Sequence, residues 1–310
     1  RLESDPENAD LHYLVGRSES SPEAAVVCYE RALRLDPDHA RSHMGMGAVH
    51  LGRGKLRDGA LAYARAAQLD PSLAEAWLGL VRAHIAAGNI AEAIATARAG
   101  VEAVPTEPAL YVTLAALVPL EAPKLLELAA SKAPRDARVF AALAEIRLAA
   151  GDFDGALMSA GDALSVDPAQ GDATLTVLMA TDLVAGRLDL PAYRSLVDSR
   201  RLQETDLQGA VQRYDSLVRS HSGSAMVWVA RAQARQEQGD LGGALEDLEH
   251  ALGIDGVNVE AAGAYGLLLL SHGRAKEARA WLQVAYDARP WDTSLGTALG
   301  RTYAGTGDLH

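Results

Sequence analysis

One cysteine, Cys28, stands in 310 residues. No intrachain disulfide can form, and no cysteine cage for zinc can be built. The compartment is left open by this, and a bacterial cytoplasm or periplasm would suit the chain equally. Aromatic residues are scarce, at 5%, although 49% of the chain is apolar and Ala is abundant. A core of small side chains suits closely packed helices better than a sandwich of sheets. Positive charge is in deficit: the formal net charge is −12. Nucleic acid and anionic membrane are therefore not expected as partners, since both reward a basic face. No run approaches the roughly 20 apolar residues of a membrane span; pure stretches such as Leu267–Leu270 after Gly266 are short. There is no Walker loop, no GxGxxG after a strand, no GxSxG and no HExxH, and no strand pattern to hold one. No catalytic residue, cofactor or metal is expected. The chain opens on Arg1 and lacks an apolar signal region, so it reads as a piece of something longer.

What is present is a period. Leu35-Asp36-Pro37 returns as Leu69-Asp70-Pro71, and the same slot then holds Pro105, Pro134, Pro168, Ser222, Gly256 and Pro290. The gaps are 34, 34, 29, 34, 54, 34 and 34 residues. A fixed interval of this size means stacked supersecondary units. Each unit splits in two. Leu73, Trp77, Leu80, Val81 and Ile85 form a helical stripe, Gly88-Asn89 breaks it, and a second stripe runs over 90–104 until Pro105 stops it. The Asp and Pro of the repeated triplet suit the N-cap and first turn of the helix that follows. Two slots stay small along the chain. One holds Ala25, Gly59, Ala93, Ala122, Ala156, Ala210, Ala244 and Ala278. The other holds Ala32, Ala66, Gly100, Ala129, Ala163, Leu217, Ala251 and Ala285. Between them lies a larger or mixed slot (Tyr29, Tyr63, Ala97, Leu126, Ala160, Tyr214, Leu248, Leu282) that fills the gap left by the close approach.

With these residues in register the chain resembles the tetratricopeptide repeat family. Trp77, Leu80, Ala93 and Pro105 carry the resemblance in one unit. Gly47, Gly54, Tyr63, Ala66 and Pro71 carry it in another, and Leu299, Gly300, Tyr303 and Gly307 in the last. The resemblance covers nearly the whole chain. It implies an all-α fold: an α-solenoid of antiparallel helix pairs wound as a right-handed superhelix with a concave inner face.

Two places break the pattern. One unit is five residues short, at 119–123, where two prolines replace the glycine turn. The 54-residue gap equals one unit plus 20 residues, enough for helices at about 171–185, 189–203 and 206–220. The expected organisation is an N-terminal sub-solenoid over 1–186, an irregular helix and boundary at 187–205, and a C-terminal sub-solenoid over 206–310 with an incomplete last repeat. The irregular segment is either a packed spacer or a partner-binding element. The chain stops at "GTGDLH" (305–310), where a second helix should begin. The apolar face of the preceding helix is expected to be covered by more chain, a partner or another copy.

The resemblance places function on the first helix of each pair. It implies a partner-binding wall of Met44, Gly45, Ala48, Leu78, Gly79, Arg82, Ala141, Ala142, Glu145, Val229, Ala230, Gln233, Gly263, Ala264 and Leu267. This wall is small and apolar at its centre. It lacks the Lys/Asn/Arg constellation with which some relatives hold a terminal carboxylate. With only Asn8, Asn89 and Asn258, it also lacks an asparagine ladder. A smooth apolar trough suits a protein or peptide partner, an amphipathic helix laid along it; the alternative is that these residues only pack between units. The leading expectation is a protein–protein interaction scaffold. The alternative is the substrate-recognition arm of a larger enzyme, such as a glycosyltransferase, whose catalytic domain lies elsewhere. His39 and His43, four apart on one helix, could face one metal ion but have no third ligand, and Cys28 reads as packing. If the wall is open, Gly79→Arg and Ala142→Arg should abolish partner capture and leave helical content and melting unchanged, as read by pull-down and circular dichroism.

Overall fold

The computed structural model describes residues 7–306. Among the described residues every regular element is a helix, eighteen in all. The chain divides into two compact units, 1–143 and 144–310. The first holds α1 (Ala9–Ser18), α2 (Pro22–Leu35), α3 (Ala40–Gly52), α4 (Leu56–Leu69), α5 (Ala74–Ala86), α6 (Ile90–Ala103), α7 (Pro108–Leu117) and α8 (Ala122–Lys132). The division falls inside α9 (Ala137–Ala150). The second unit continues with α10 (Phe153–Val166), α11 (Gly171–Val184), α12 (Leu190–Gln203), α13 (Leu207–Ser220) and α14 (Ala225–Gln238). It ends with α15 (Leu241–Ile254), α16 (Val259–Ser271), α17 (Ala275–Ala288) and α18 (Thr293–Thr306). Successive helices pack on one another from α1 to α8 and from α12 to α18, α10 packs on α11, and α1, α3, α5 and α7 also touch in series. The all-α stack of helix pairs is therefore present. No helix among the described residues is long and apolar enough to cross a membrane.

Local chemistry explains the punctuation. Gly88 adopts φ +75° between α5 and α6, a conformation that side chains with a Cβ rarely take. Gly239 closes α14 in the same left-handed region, at φ +85°. Some second helices then start on carboxylate caps. Asp152 accepts from the Gly155 amide at 3.0 Å, and Asp240 from the Gly243 amide at 3.0 Å. The Leu-Asp-Pro triplet works differently from the expectation. Asp36 ends α2, and its carboxylate accepts from the Asp38 amide at 3.0 Å; Asp70 does the same for Ser72 at 3.0 Å. These are Asx turns in the connector. The N-cap of α3 is His39, so neither Asp36 nor Pro37 belongs to the helix start.

The small slots are the places where helices meet. Ala32, Ala66, Ala93, Ala122, Ala156, Ala210, Ala244 and Ala278 have essentially no exposed surface. The five-residue deficit is taken from the helices. The turn between α7 and α8 keeps four residues, 118–121, whereas α7 and α8 have 10 and 11 residues against 13 and 14 in the pair before. The helix expected to interrupt the array is α12, inside the second unit, and it packs on α13 and α14. Buried polar groups there are paired. Asp247, 1% exposed, receives Arg231 at 2.6 Å and Arg235 at 3.0 Å; Asp182 receives Arg187 at 2.7 Å and the Ser224 hydroxyl. Ala93 shares a core cluster with Val81, Ala97 and Leu114. Ala93→Trp should therefore overpack it and cost about 1–3 kcal/mol; a denaturant midpoint equal to that of the parent would contradict this packing.

Candidate functional site

In the first unit, first helices and tyrosines of neighbouring helices enclose a hollow of about 700 Å³. Helix α3 contributes Met44, Gly45 and Ala48, and α5 contributes Glu75, Leu78 and Arg82, at the spacing that keeps residues on one helical face. Ala109 and Thr113 of α7 extend the wall. Tyr13 and Arg17 of α1, Tyr29 of α2 and Tyr63 of α4 complete it. Five of the expected wall residues, Met44, Gly45, Ala48, Leu78 and Arg82, are thus brought together.

The tyrosines change the character of the wall. They are almost fully buried, yet their rings reach between helices to the hollow. Gly79 makes room for one of them. A Cβ on Gly79 would lie 2.2 Å from the Tyr63 ring, and a Cβ on Gly45 would lie 2.6 Å from the Tyr29 ring. Gly79 is buried under Tyr63 and does not line the hollow, so Gly79→Arg cannot be a neutral probe of the surface. Burial pushes the Tyr63 phenol above its ordinary pKa, while the positive charge of Arg82 pulls it partly back. Among the described residues, neither Arg17 nor Arg82 stands in an ion pair. The tyrosines had a signal in the sequence. Tyr29 and Gly45 are 16 residues apart, and so are Tyr63 and Gly79; where the slot holds Ala97, the residue 16 further on is Thr113.

The other expected residues fall in several places. Ala141 is buried and Ala142 half-buried at the end of the first unit, and Glu145 is exposed in the second. Val229 and Gln233 line a cavity of about 510 Å³ among α11, α12, α14 and α16, with Ala230 buried out of reach. That cavity is polar, contrary to the smooth apolar trough expected: Asp172, Arg200, Gln203, Glu204, Glu237 and Glu260 share it with Leu175 and Met226. Although Glu145 keeps surface in solvent, the helices crowded around its carboxyl thin the water there and, with the carboxylate of Asp172, push it above its ordinary pKa. Leu267 lines a separate hollow with Thr293, Thr297 and Arg301, while Gly263 is buried and Ala264 half-buried against the core. The last four residues of "GTGDLH" lie outside the described residues.

The two histidines that could have shared a metal are committed elsewhere. His39 caps α3, accepting from the Ser42 amide at 3.2 Å, with its other nitrogen 3.1 Å from Asp10. His43 Nε2 lies 2.9 Å from the Pro37 carbonyl. Among the described residues no group of three potential ligands converges. Burial and the nearby Glu19 carboxylate push the Cys28 thiol up, away from reactivity.

Two profiles of the tetratricopeptide repeat match the sequence, one over 50–118 and the other over 17–74 and 229–292. Together they take in more than half of the chain. The chain belongs to the tetratricopeptide repeat family. Proteins of this family generally mediate protein–protein interactions, and the repeat fold is typically a non-catalytic scaffold. Tetratricopeptide repeat protein 36 of Mus musculus is 37% identical over 84 residues, which is 26% of this chain and 45% of that protein. The match thus spans about half the length of this curated relative. Among solved structures, the thermophilic tetratricopeptide repeat protein TTC0263 of Thermus thermophilus is 19% identical, with a TM-score of 0.44, over 56% of this chain and 98% of that one. A tetratricopeptide repeat protein of Parabacteroides merdae is 11% identical, with a TM-score of 0.44, over 85% and 98% of the two chains. At these values the solved structures say nothing about what this tetratricopeptide repeat chain binds.

The tyrosine sockets generate a test. Gly79→Ala should cost about 1–3 kcal/mol, and the cost should shrink in a Tyr63→Leu background. Equal costs in the two backgrounds, measured by urea unfolding, would show that Tyr63 does not need the glycine.

Proposed function

We propose that the chain is a protein–protein interaction scaffold and that the hollow of the first unit receives the apolar face of a partner helix. One observation carries this reading. Met44, Ala48 and Leu78 from first helices, with three tyrosines, line a single hollow open to solvent, next to two arginines without ion pairs among the described residues. Aromatic rings offer large contact area at small conformational cost, and a tyrosine adds a polar tip. Helix-in-groove recognition needs this kind of surface: apolar along the centre, with charge to fix direction at the sides. Glu75, Arg17 and Arg82 supply the charge here.

Of the remaining residues expected on the inner wall, Ala141, Val229, Ala230 and Gly263 are buried and offer no contact; the accessible ones serve as further contact points of the same kind. The half-buried Ala142 and the exposed Glu145 are the best placed of them for that. No part of the proposal involves catalysis.

Ala48 is exposed and Leu78 half-buried on the wall, so both can be changed without cutting into the core. Ala48→Arg and Leu78→Glu should leave the melting temperature within the range of surface substitutions, about 0.5 kcal/mol. Both should lower capture of a partner from the native host by about tenfold or more, read by quantitative mass spectrometry against the parent. Full capture by both stable variants would remove the hollow from the function.

A further inference from the structure

Among the half-buried arginines of the second unit, one is treated unlike the others. Arg231 and Arg235 meet Asp247, Arg289 meets Glu260, and Arg147 donates to the Ser159 hydroxyl at 2.7 Å. Arg200, half-buried on α12, makes no ion pair and no hydrogen bond among the described residues. It lines the 510 Å³ cavity. Loss of surrounding water pushes its guanidinium below the ordinary pKa, with Tyr214, Glu260 and Tyr193 pulling weakly the other way. The groups that act on it are partly engaged elsewhere. The Tyr214 hydroxyl donates to Gln203, and Glu260 is engaged by Arg289. A guanidinium has five donors in a fixed fork and keeps its charge, so a half-buried one with no protein acceptor is open to an acceptor brought by a ligand.

The rim of the same cavity has the opposite need. Asp172, Glu204 and Glu237 are exposed there, and none stands in an ion pair among the described residues. Glu145, beside Asp172, already holds its proton more tightly than usual. A simple anion entering toward Arg200 would pass three carboxylates, and a simple cation would leave Arg200 unmet. A ligand with both charges side by side satisfies both.

We propose that the cavity among α11, α12, α14 and α16 is a second binding site, for a mixed-charge polypeptide segment. A carboxylate of the segment sits on Arg200, and an adjacent lysine or arginine sits among Asp172, Glu204 and Glu237. The volume suits a few side chains and not a long helix. The site stands independently of the hollow in the first unit. It gives α12, the helix that breaks the repeat interval, a role: Arg200 and Gln203 both come from its last turn.

The test uses the full chain and short dye-labelled peptides with one common neutral framework, read by fluorescence anisotropy. One peptide carries an adjacent Lys–Glu pair, one only Lys, one only Glu, and one no charge. The Lys–Glu peptide should bind at least about tenfold tighter than the other three. Arg200→Met should reduce it to the level of the Lys-only peptide, and Glu237→Gln combined with Asp172→Asn to that of the Glu-only peptide. Leu78→Glu, in the first unit, should change none of these affinities. Arg200→Met should also melt at or above the parent temperature, because it removes an unmet charge and keeps the apolar stem. Four results overturn the proposal: equal binding of all peptides, unchanged binding by Arg200→Met, a lowered melting temperature for that variant, or free lysine and glutamate competing as well as the peptide.

Discussion

Everything in this protein depends on how closely two helices can approach. At one slot per second helix the residue is Ala or Gly, and it is buried almost without exception. A larger side chain there would push the helix axes apart. Each helix pair is too small to bury its own apolar faces, so it stands only against the next pair. The interval between small residues is therefore also the interval of the stack. Where it shortens, across α7 and α8, the helices themselves lose residues and the slots Ala122 and Ala129 remain buried.

The same constraint produces the hollow in the first unit. Small residues on first helices, Gly45 and Gly79, leave space that Tyr29 and Tyr63 fill from the helices before them. A ring held this way is fixed by packing yet presents an edge to the hollow. The proposed binding surface and the core share these side chains, which would tie recognition to stability. In the second unit the slot of those tyrosines holds Tyr214, fully buried, and the neighbouring cavity is shaped by charge.

The two units thus offer different chemistry. One wall is aromatic and apolar with arginines at its sides. The other sets a half-buried guanidinium among exposed carboxylates. An interaction scaffold gains selectivity from such differences, because a segment suited to one site leaves unmet charge or uncovered apolar surface in the other.

Helix pairing, helix order and the buried small slots were all legible in the sequence. The period, the glycine breaks and the alanines are local signals that act through backbone sterics within one or two turns. The expected wall was legible in part: Met44, Ala48, Leu78 and Arg82 do line one hollow, because helical spacing alone puts them on one face. Tyr13, Tyr29 and Tyr63 were missed as lining residues, since a ring's reach depends on the gap left by another helix. Gly79 was misplaced for the same reason, and the turn role of Asp36 and Asp70 was hidden because one carboxylate can cap a helix or close a connector equally well. Sequence by itself determined that this chain must be a stack of paired helices. Only the tertiary structure decided which surfaces remain open and which charges remain unmet, because both depend on what neighbouring helices fail to cover.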